Sequence, residues 1–286
     1  MYYKMDNILK EMTYMNIGYC VNMVASEFDR TGIGMDRAGI AFEEMFDYVE
    51  LPMAQMMALS DMDFRTQVLE PVRERGISVE ASNNFAPASL RLTGGDANMN
   101  EAADYAKRAL DRAAQLGVKV IVFGSSGARN CPAFFSKQAA LQQLAKFLRF
   151  LGDEGQARGI RFAIEPLNRG ESNLVNTLEE GFELARMTDH PHVGVLADSY
   201  HFLLGREDTA YLESVADKLF HVHLAQPLGR SLPLEPEEHF DAFMSALQRG
   251  GYDGRMSLEA YCPEAFRELS RRSRNRLMDE WNRRSI

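Results

Sequence analysis

The ten residues AQLGVKVIVF, positions 114–123, hold the pattern that decides the fold: an amphipathic stretch ends in Gly117 and a β-branched run, 118–123, follows at once. Glycine just past a helix end supplies a left-handed cap. A short apolar run bounded by a turn signal and rich in β-branched residues reads as a buried strand. Working outward, RERG precedes Ile77, ARG precedes Ile160 and GGYDG precedes Arg255 in the same way. The full set of runs is 17–22, 48–51, 77–81, 118–123, 160–165, 193–198, 219–223 and 256–259.

The segments between them read as helices. Ser136 is placed to cap a segment with Leu141, Leu144, Phe147, Leu148 and Leu151 on one face. Thr177 with Glu180 three residues on makes a capping box, and Pro236 sits where a first helical turn accepts proline, ahead of Phe240, Phe243 and Leu247. Eight strand–helix units in an unbroken series predict an α/β protein with a closed (β/α)8 barrel rather than a doubly wound open sheet. No composition break marks a second domain, so the barrel is expected to occupy 1–286, with a helical extension from about 263. That extension, RELSRRSRNRLMDEWNRRSI at 267–286, gathers arginines. It reads as a solvated last helix covering the barrel with Leu277, Met278 and Trp281; the alternative is contact with a partner subunit of a homo-oligomer.

With 286 residues, 45% hydrophobic and 26% charged, the chain is globular by composition rather than disordered or fibrous. Forty-one acidic against 32 basic side chains give a net charge of -9, which repels a phosphate backbone, so nucleic acid is not an expected partner. Cys20, Cys131 and Cys262 are scattered and form neither a disulfide framework nor a zinc-finger spacing; a reducing cytoplasm is the expected setting. No stretch approaches the roughly 18–20 apolar residues that span a bilayer, and Asp6 and Glu11 interrupt any signal-peptide core, so no membrane association or processing is expected.

In a (β/α)8 barrel the active site lies at the carboxyl ends of the strands. The last four runs end in Glu165, Asp198, His223 and Glu259. One such carboxylate alone is ordinarily a helix cap or a surface charge. Four polar groups in register form an N/O ligand set for one divalent ion, with the carboxylates favouring Mn²⁺, Mg²⁺ or Co²⁺ and the imidazole keeping Zn²⁺ open. His221 and His223 share a strand face. His223, nearer the end, is the expected ligand, and His221 a packed, hydrogen-bonded residue one layer deeper, with a direct catalytic role as the alternative. GSSGARN, 124–130, reads as a tight turn shaping the pocket wall ahead of a phosphate cradle built with Arg129, because it lacks the P-loop lysine and the Rossmann spacing. Cys20, Cys262, Tyr19 and Tyr261 lie near strand ends and either border the pocket or pack in the core.

The segments FGSSGARN, IEPLNRGESNLVNT, LADSYH, HVHLA, GGYDG and SLEA resemble the sugar phosphate isomerase/epimerase group of the xylose-isomerase-like TIM barrels, which includes the ketose 3-epimerases. The resemblance runs from about Ile17 to Cys262, and the ordered E, D, H, E set is its most specific part. It implies that Glu165, Asp198, His223 and Glu259 bind one metal, with Glu165 and Glu259 on opposite sides of the substrate as the catalytic pair. It also implies that Glu171, His201 and Arg230 contact a small-molecule sugar, although the loop carrying Arg230 is one residue longer than in the epimerases. One position departs from the group: many relatives have an acidic residue three places after the ligand histidine, and this chain has Gln226. Glutamine hydrogen-bonds but holds no negative charge, which puts a proton-transfer role there in doubt.

The chemistry follows from the site. A proton on carbon beside a carbonyl is barely acidic, and a metal holding the carbonyl and adjacent hydroxyl oxygens stabilises the enediolate left when it departs. Two flanking carboxylates permit removal on one face and return on the other, which inverts the carbon. The expected function is a metal-dependent isomerase or epimerase of a monosaccharide or sugar derivative. The alternative is a lyase or dehydratase acting on a keto-sugar, inosose or C-glycoside derivative. A phosphodiesterase resembling endonuclease IV is disfavoured by only six histidines and the acidic charge.

Overall fold

The glycine-ended helices and apolar runs assemble as the alternation requires. A computed structural model describes residues 15–24, 29, 31–262 and 264–284. Eight parallel strands pair in chain order and the last closes on the first: β1 (Asn16–Cys20), β2 (Tyr48–Pro52), β3 (Val79–Asn83), β4 (Val120–Phe123), β5 (Arg161–Ile164), β6 (Val193–Asp198), β7 (Leu219–Leu224) and β8 (Arg255–Leu258). Every run read from the sequence becomes a strand. β3 and β4 begin two residues later than read, and the helix ends explain why. Gly76 and Gly117 take φ 65° and 87°, and the next amides turn back, Ile77 N to Val72 O and Val118 N to Ala113 O, both at 3.0 Å. Ile77 and Val118 thus finish the preceding helices.

The helix signals hold with two shifts. Ser136 caps Lys137–Gln156, whose Leu144, Phe147, Leu148 and Leu151 are buried. Thr177 accepts from Glu180 N at 3.2 Å, but the Glu180 carboxylate reaches back to Asn176 N rather than to the amide of Thr177. Pro236 lies outside the helix: Glu237 caps Glu238–Arg249, accepting from Phe240 N at 2.7 Å and His239 N at 3.3 Å, so the proline sits one residue before the cap. The last helix, Phe266–Arg284, seats Leu277 and Trp281 in the core, while Arg267 and Arg276 pair with Glu44 and Asp241. Among the described residues no helix is long and apolar enough to cross a membrane.

Inside the barrel, Tyr48, Ala81, Val120, Val122, Ala163 and Leu196 form an apolar cluster of their own, apart from the larger core between strands and helices. Period-two alternation explains the division, since each strand sends every second side chain inward. The inward positions nearer the mouth on β2, β7 and β8 are polar instead: Glu50, His221, His223 and Ser257, all fully buried.

One half-buried carboxylate outside this interior has a consequence for stability. Glu207 Oε2 accepts from Leu178 N, the first residue of helix Leu178–Thr188, at 2.7 Å. Burial, with Glu180 adding to it, pushes the Glu207 carboxyl up to about 7. The fold therefore favours its neutral form, and the corresponding stability is present in full below about 4.5 and lost as pH rises through about 7. Glu207→Gln keeps an acceptor without the charge. Urea unfolding is expected to show the variant about 1–2 kcal/mol more stable than wild type at pH 8 and level with it at pH 4.5; equal pH slopes would contradict this assignment.

Candidate active site

Strand ends deliver the four residues read from the sequence to one place. Asp198 closes β6, His223 lies one residue from the end of β7, and Glu165 and Glu259 directly follow β5 and β8. The register sets His223 beside Asp198 on one side and Ser257 on the other. His223 Nδ1 lies 2.8 Å from Glu259 Oε2, 3.3 Å from Glu165 Oε1 and 4.0 Å from Asp198 Oδ2. One ligand atom from each of the four falls within 4.8 Å of all the others, and all four side chains are buried. Ligand bonds of about 2.0–2.3 Å put opposite ligands a little over 4 Å apart, so the cluster has the size and donor chemistry of a single divalent-ion site.

The other expected residues gather around it. A cavity of about 330 Å³ is lined by Glu165, Glu259, Glu171, His201 and Arg230, together with Gln55, Asn84, Ser125 and Ser126. His201 Nδ1 accepts from Asn168 N at 3.2 Å, which leaves the proton on Nε2. That nitrogen is buried, has no hydrogen-bond partner and belongs to a cavity-lining residue. Asn168 Nδ2 also holds Glu171 Oε1 at 2.9 Å. Arg230, stacked on Tyr200, is drawn into the carboxylate cluster: its Nη2 donates to Asp198 Oδ2 at 3.0 Å and to Glu259 Oε2. Gln226 turns away and donates to Glu235 O.

The profile of the xylose isomerase-like TIM barrel family matches residues 40–280. The chain belongs to that family. This xylose isomerase-like barrel is 25% identical to a ketose 3-epimerase of Arthrobacter globiformis over 77% of the chain and 74% of the relative. It is 30% identical to a 3-dehydroshikimate dehydratase of Pseudomonas putida over 55% of the chain, a match that spans about a quarter, 26%, of that longer protein. The crystal structure of 3-keto-D-glucoside 4-epimerase from E. coli superposes with a TM-score of 0.74 at 21% identity, covering 93% of this chain and 100% of the other.

Electrostatics separate the two glutamates of this xylose isomerase-like barrel. Burial raises Glu165, and the charges of Glu259 and Asp198 add to it against the opposing His223. Burial acts on Glu259 as well, yet Arg230 and His223 overcome it and hold that carboxyl well below the usual range. Four buried carboxylates, counting Glu50, face one guanidinium and the imidazoles of His221 and His223, an imbalance that a divalent cation would relieve.

Sequence reading missed Glu50 and the role of Gly124, and named Arg129 only as an alternative anion ligand. Glu50 bonds both barrel histidines, through Oε1 to His223 Nε2 at 3.1 Å and Oε2 to His221 Nε2 at 2.9 Å. Its signal was visible as the one carboxylate within the otherwise apolar run YVELP. Arg129 is fully buried and donates to the carbonyl oxygens of Gly124 and Glu165, so it braces the ends of β4 and β5 instead of facing an anion; the tight-turn reading of GSSGARN is the one the geometry supports. Gly124 leaves room for a ligand: a Cβ there would overlap Glu165 Oε2. Gly124→Ala is therefore expected to displace that carboxylate and lower turnover about 10²-fold or more with little loss of fold. Wild-type turnover in Gly124→Ala would show that Glu165 needs no such cradle.

Proposed function

We propose that this chain is a divalent-metal-dependent sugar epimerase or isomerase that moves a proton on and off the carbon beside a substrate carbonyl. The observation that carries this reading is the convergence of Glu165 and Glu259 on His223 Nδ1 at the wall of a polar cavity. Glu165, Asp198, His223 and Glu259 would hold the ion, and three carboxylates with one imidazole suit Mn²⁺ first, then Mg²⁺, Co²⁺ or Zn²⁺. A bound divalent cation supplies charge stabilisation for the oxyanion that develops as the proton leaves carbon. Glu259, kept ionised by Arg230, takes a proton from one side and Glu165 serves the other. His201 donates its Nε2–H to a substrate oxygen, and Glu171 accepts a substrate hydroxyl.

His201→Ala and Glu171→Ala are accordingly expected to retain metal and lose about 10²-fold in turnover. Loss of the metal in either variant would move that residue into the ligand set.

The relationship to 3-dehydroshikimate dehydratase favours a second reading, elimination, in which the same proton removal is followed by loss of a hydroxyl as water. The cavity lining weighs against a carboxylate-bearing substrate. Among its described residues Arg230 is the only lysine or arginine, and Asp198 and Glu259 already engage it. Incubation of the Mn²⁺-loaded protein in D₂O with ketoses, inososes and 3-keto-glycosides, quenched with chelator and followed by NMR, tests both. Deuterium at one carbon beside the carbonyl, together with a second epimer or isomer, is the expected result. Water loss without either product would assign the elimination, and no exchange with any of these substrates would count against both.

A further inference from the structure

Glu50, which no sequence motif accounts for, sits under the proposed metal centre, its carboxylate within 4.8 Å of donor atoms of Cys20 and His223. The carboxylate is fully buried at the third position of β2 and faces β7 and β8 across the barrel. Tyr48 Oη lies 2.9 Å from Ser257 Oγ, Ser257 Oγ donates to Glu50 Oε2 at 2.6 Å, and His221 Nε2 lies 2.9 Å from the same oxygen. Glu50 Oε1 faces His223 Nε2 at 3.1 Å. An ionised carboxylate only accepts hydrogen bonds. Both of its oxygens face groups able to donate, Oε1 the ring nitrogen of His223 and Oε2 the ring nitrogen of His221 and the Ser257 hydroxyl. Each contact must then be donated to it, which places a proton on Nε2 of both histidines. His221 agrees: its Nδ1 is buried without a partner.

For His223 the consequence reaches the metal centre. With Nε2 committed to Glu50, Nδ1 is the nitrogen left to ligate an ion, and it is the one that faces Glu165, Asp198 and Glu259. We infer that Glu50 is the positioning residue that fixes the tautomer and ring orientation of His223, so that Nδ1 is presented as the ligand nitrogen. The inference rests on the metal-site reading above. A carboxylate behind a ligating imidazole also raises its basicity, and removing such a partner typically weakens metal binding about 10–100-fold.

Long-range ¹H–¹⁵N correlation spectra of the Zn²⁺-loaded wild-type protein, in which the ion is diamagnetic, are expected to show His223 protonated at Nε2 and ligated through Nδ1. Ligation through Nε2 would overturn the inference without any variant. Competition with a fluorescent chelator is expected to give Glu50→Gln a Zn²⁺ and Mn²⁺ affinity about 10–100-fold below wild type. Glutamine keeps the shape but offers one acceptor oxygen where two imidazoles and a hydroxyl need two. The metal-free variant should retain the far-ultraviolet circular dichroism of wild type. Wild-type affinity in a folded Glu50→Gln defeats this role alone, whereas a wild-type protein that binds neither ion defeats the metal-site reading and the inference with it.

Discussion

Glu259→Gln is expected to lower turnover by about 10²–10⁴-fold while the protein still takes up metal. The glutamate sits at the crossing of three groups: Arg230 and His223 Nδ1 contact Oε2, and Asn83 Nδ2 lies 3.4 Å from Oε1. Glutamine keeps one oxygen for the cluster and loses the base, so ligation and proton transfer part company. If Glu165 and Glu259 work from opposite sides, the variant can still exchange deuterium into one epimer through Glu165 while failing to interconvert the two. Steady-state assay with NMR detection separates these outcomes. A metal-loaded Glu259→Gln that epimerises at the wild-type rate would end the two-carboxylate mechanism, and full wild-type activity without solvent exchange would point to hydride transfer.

Removal of two ligands at once gives the largest change in metal content. The double variant Glu165→Ala, Asp198→Ala is expected to lose the stoichiometric divalent ion that reloaded wild type retains through gel filtration, as read by elemental analysis. Its stability should move in a way that scaffold damage would not. The double variant gives up the bonds of Asp198 to Arg230 and to the amides of Tyr200 and His201, so the decisive quantity is the response of its melting temperature to added ion and not the metal-free value. Binding of an ion at 100 times its Kd stabilises wild type by about 2.7 kcal/mol, a rise in Tm of about 5 °C for a chain of this size. The double variant should show no such rise. Stoichiometric metal in that variant would place the site elsewhere.

Much of this arrangement is legible along the chain because it depends on local chemistry. Glycine after an amphipathic segment, as at Gly76 and Gly117, ends a helix whatever lies beyond it, and the β-branched runs that follow have the composition of buried strands. Once eight such units close, the mouth of the barrel is defined by strand ends, and Glu165, Asp198, His223 and Glu259 come together without further information. The burial of His221 follows from its spacing to His223 in the same way.

Other parts have no local signature. Glu50 meets its histidines across 171 and 173 positions, and that contact exists because closure of β8 on β1 brings β2 within reach of β7 and β8. In sequence it is one carboxylate in an apolar strand, a pattern shared by structural ion pairs and functional groups alike. Arg129 keeps an anion-ligand alternative open beside the preferred tight turn because a guanidinium near a glycine-rich turn can point either way; only packing decides that it turns inward to the carbonyls of Gly124 and Glu165. Arg230 is in the cavity as expected, but its engagement with Asp198 and Glu259 follows from a left-handed turn, φ 48°, after Gly229. Periodicity and capping are properties of neighbouring residues and survive in the sequence. Which way a long side chain turns inside a closed barrel depends on groups from other strands, and only the folded chain supplies them.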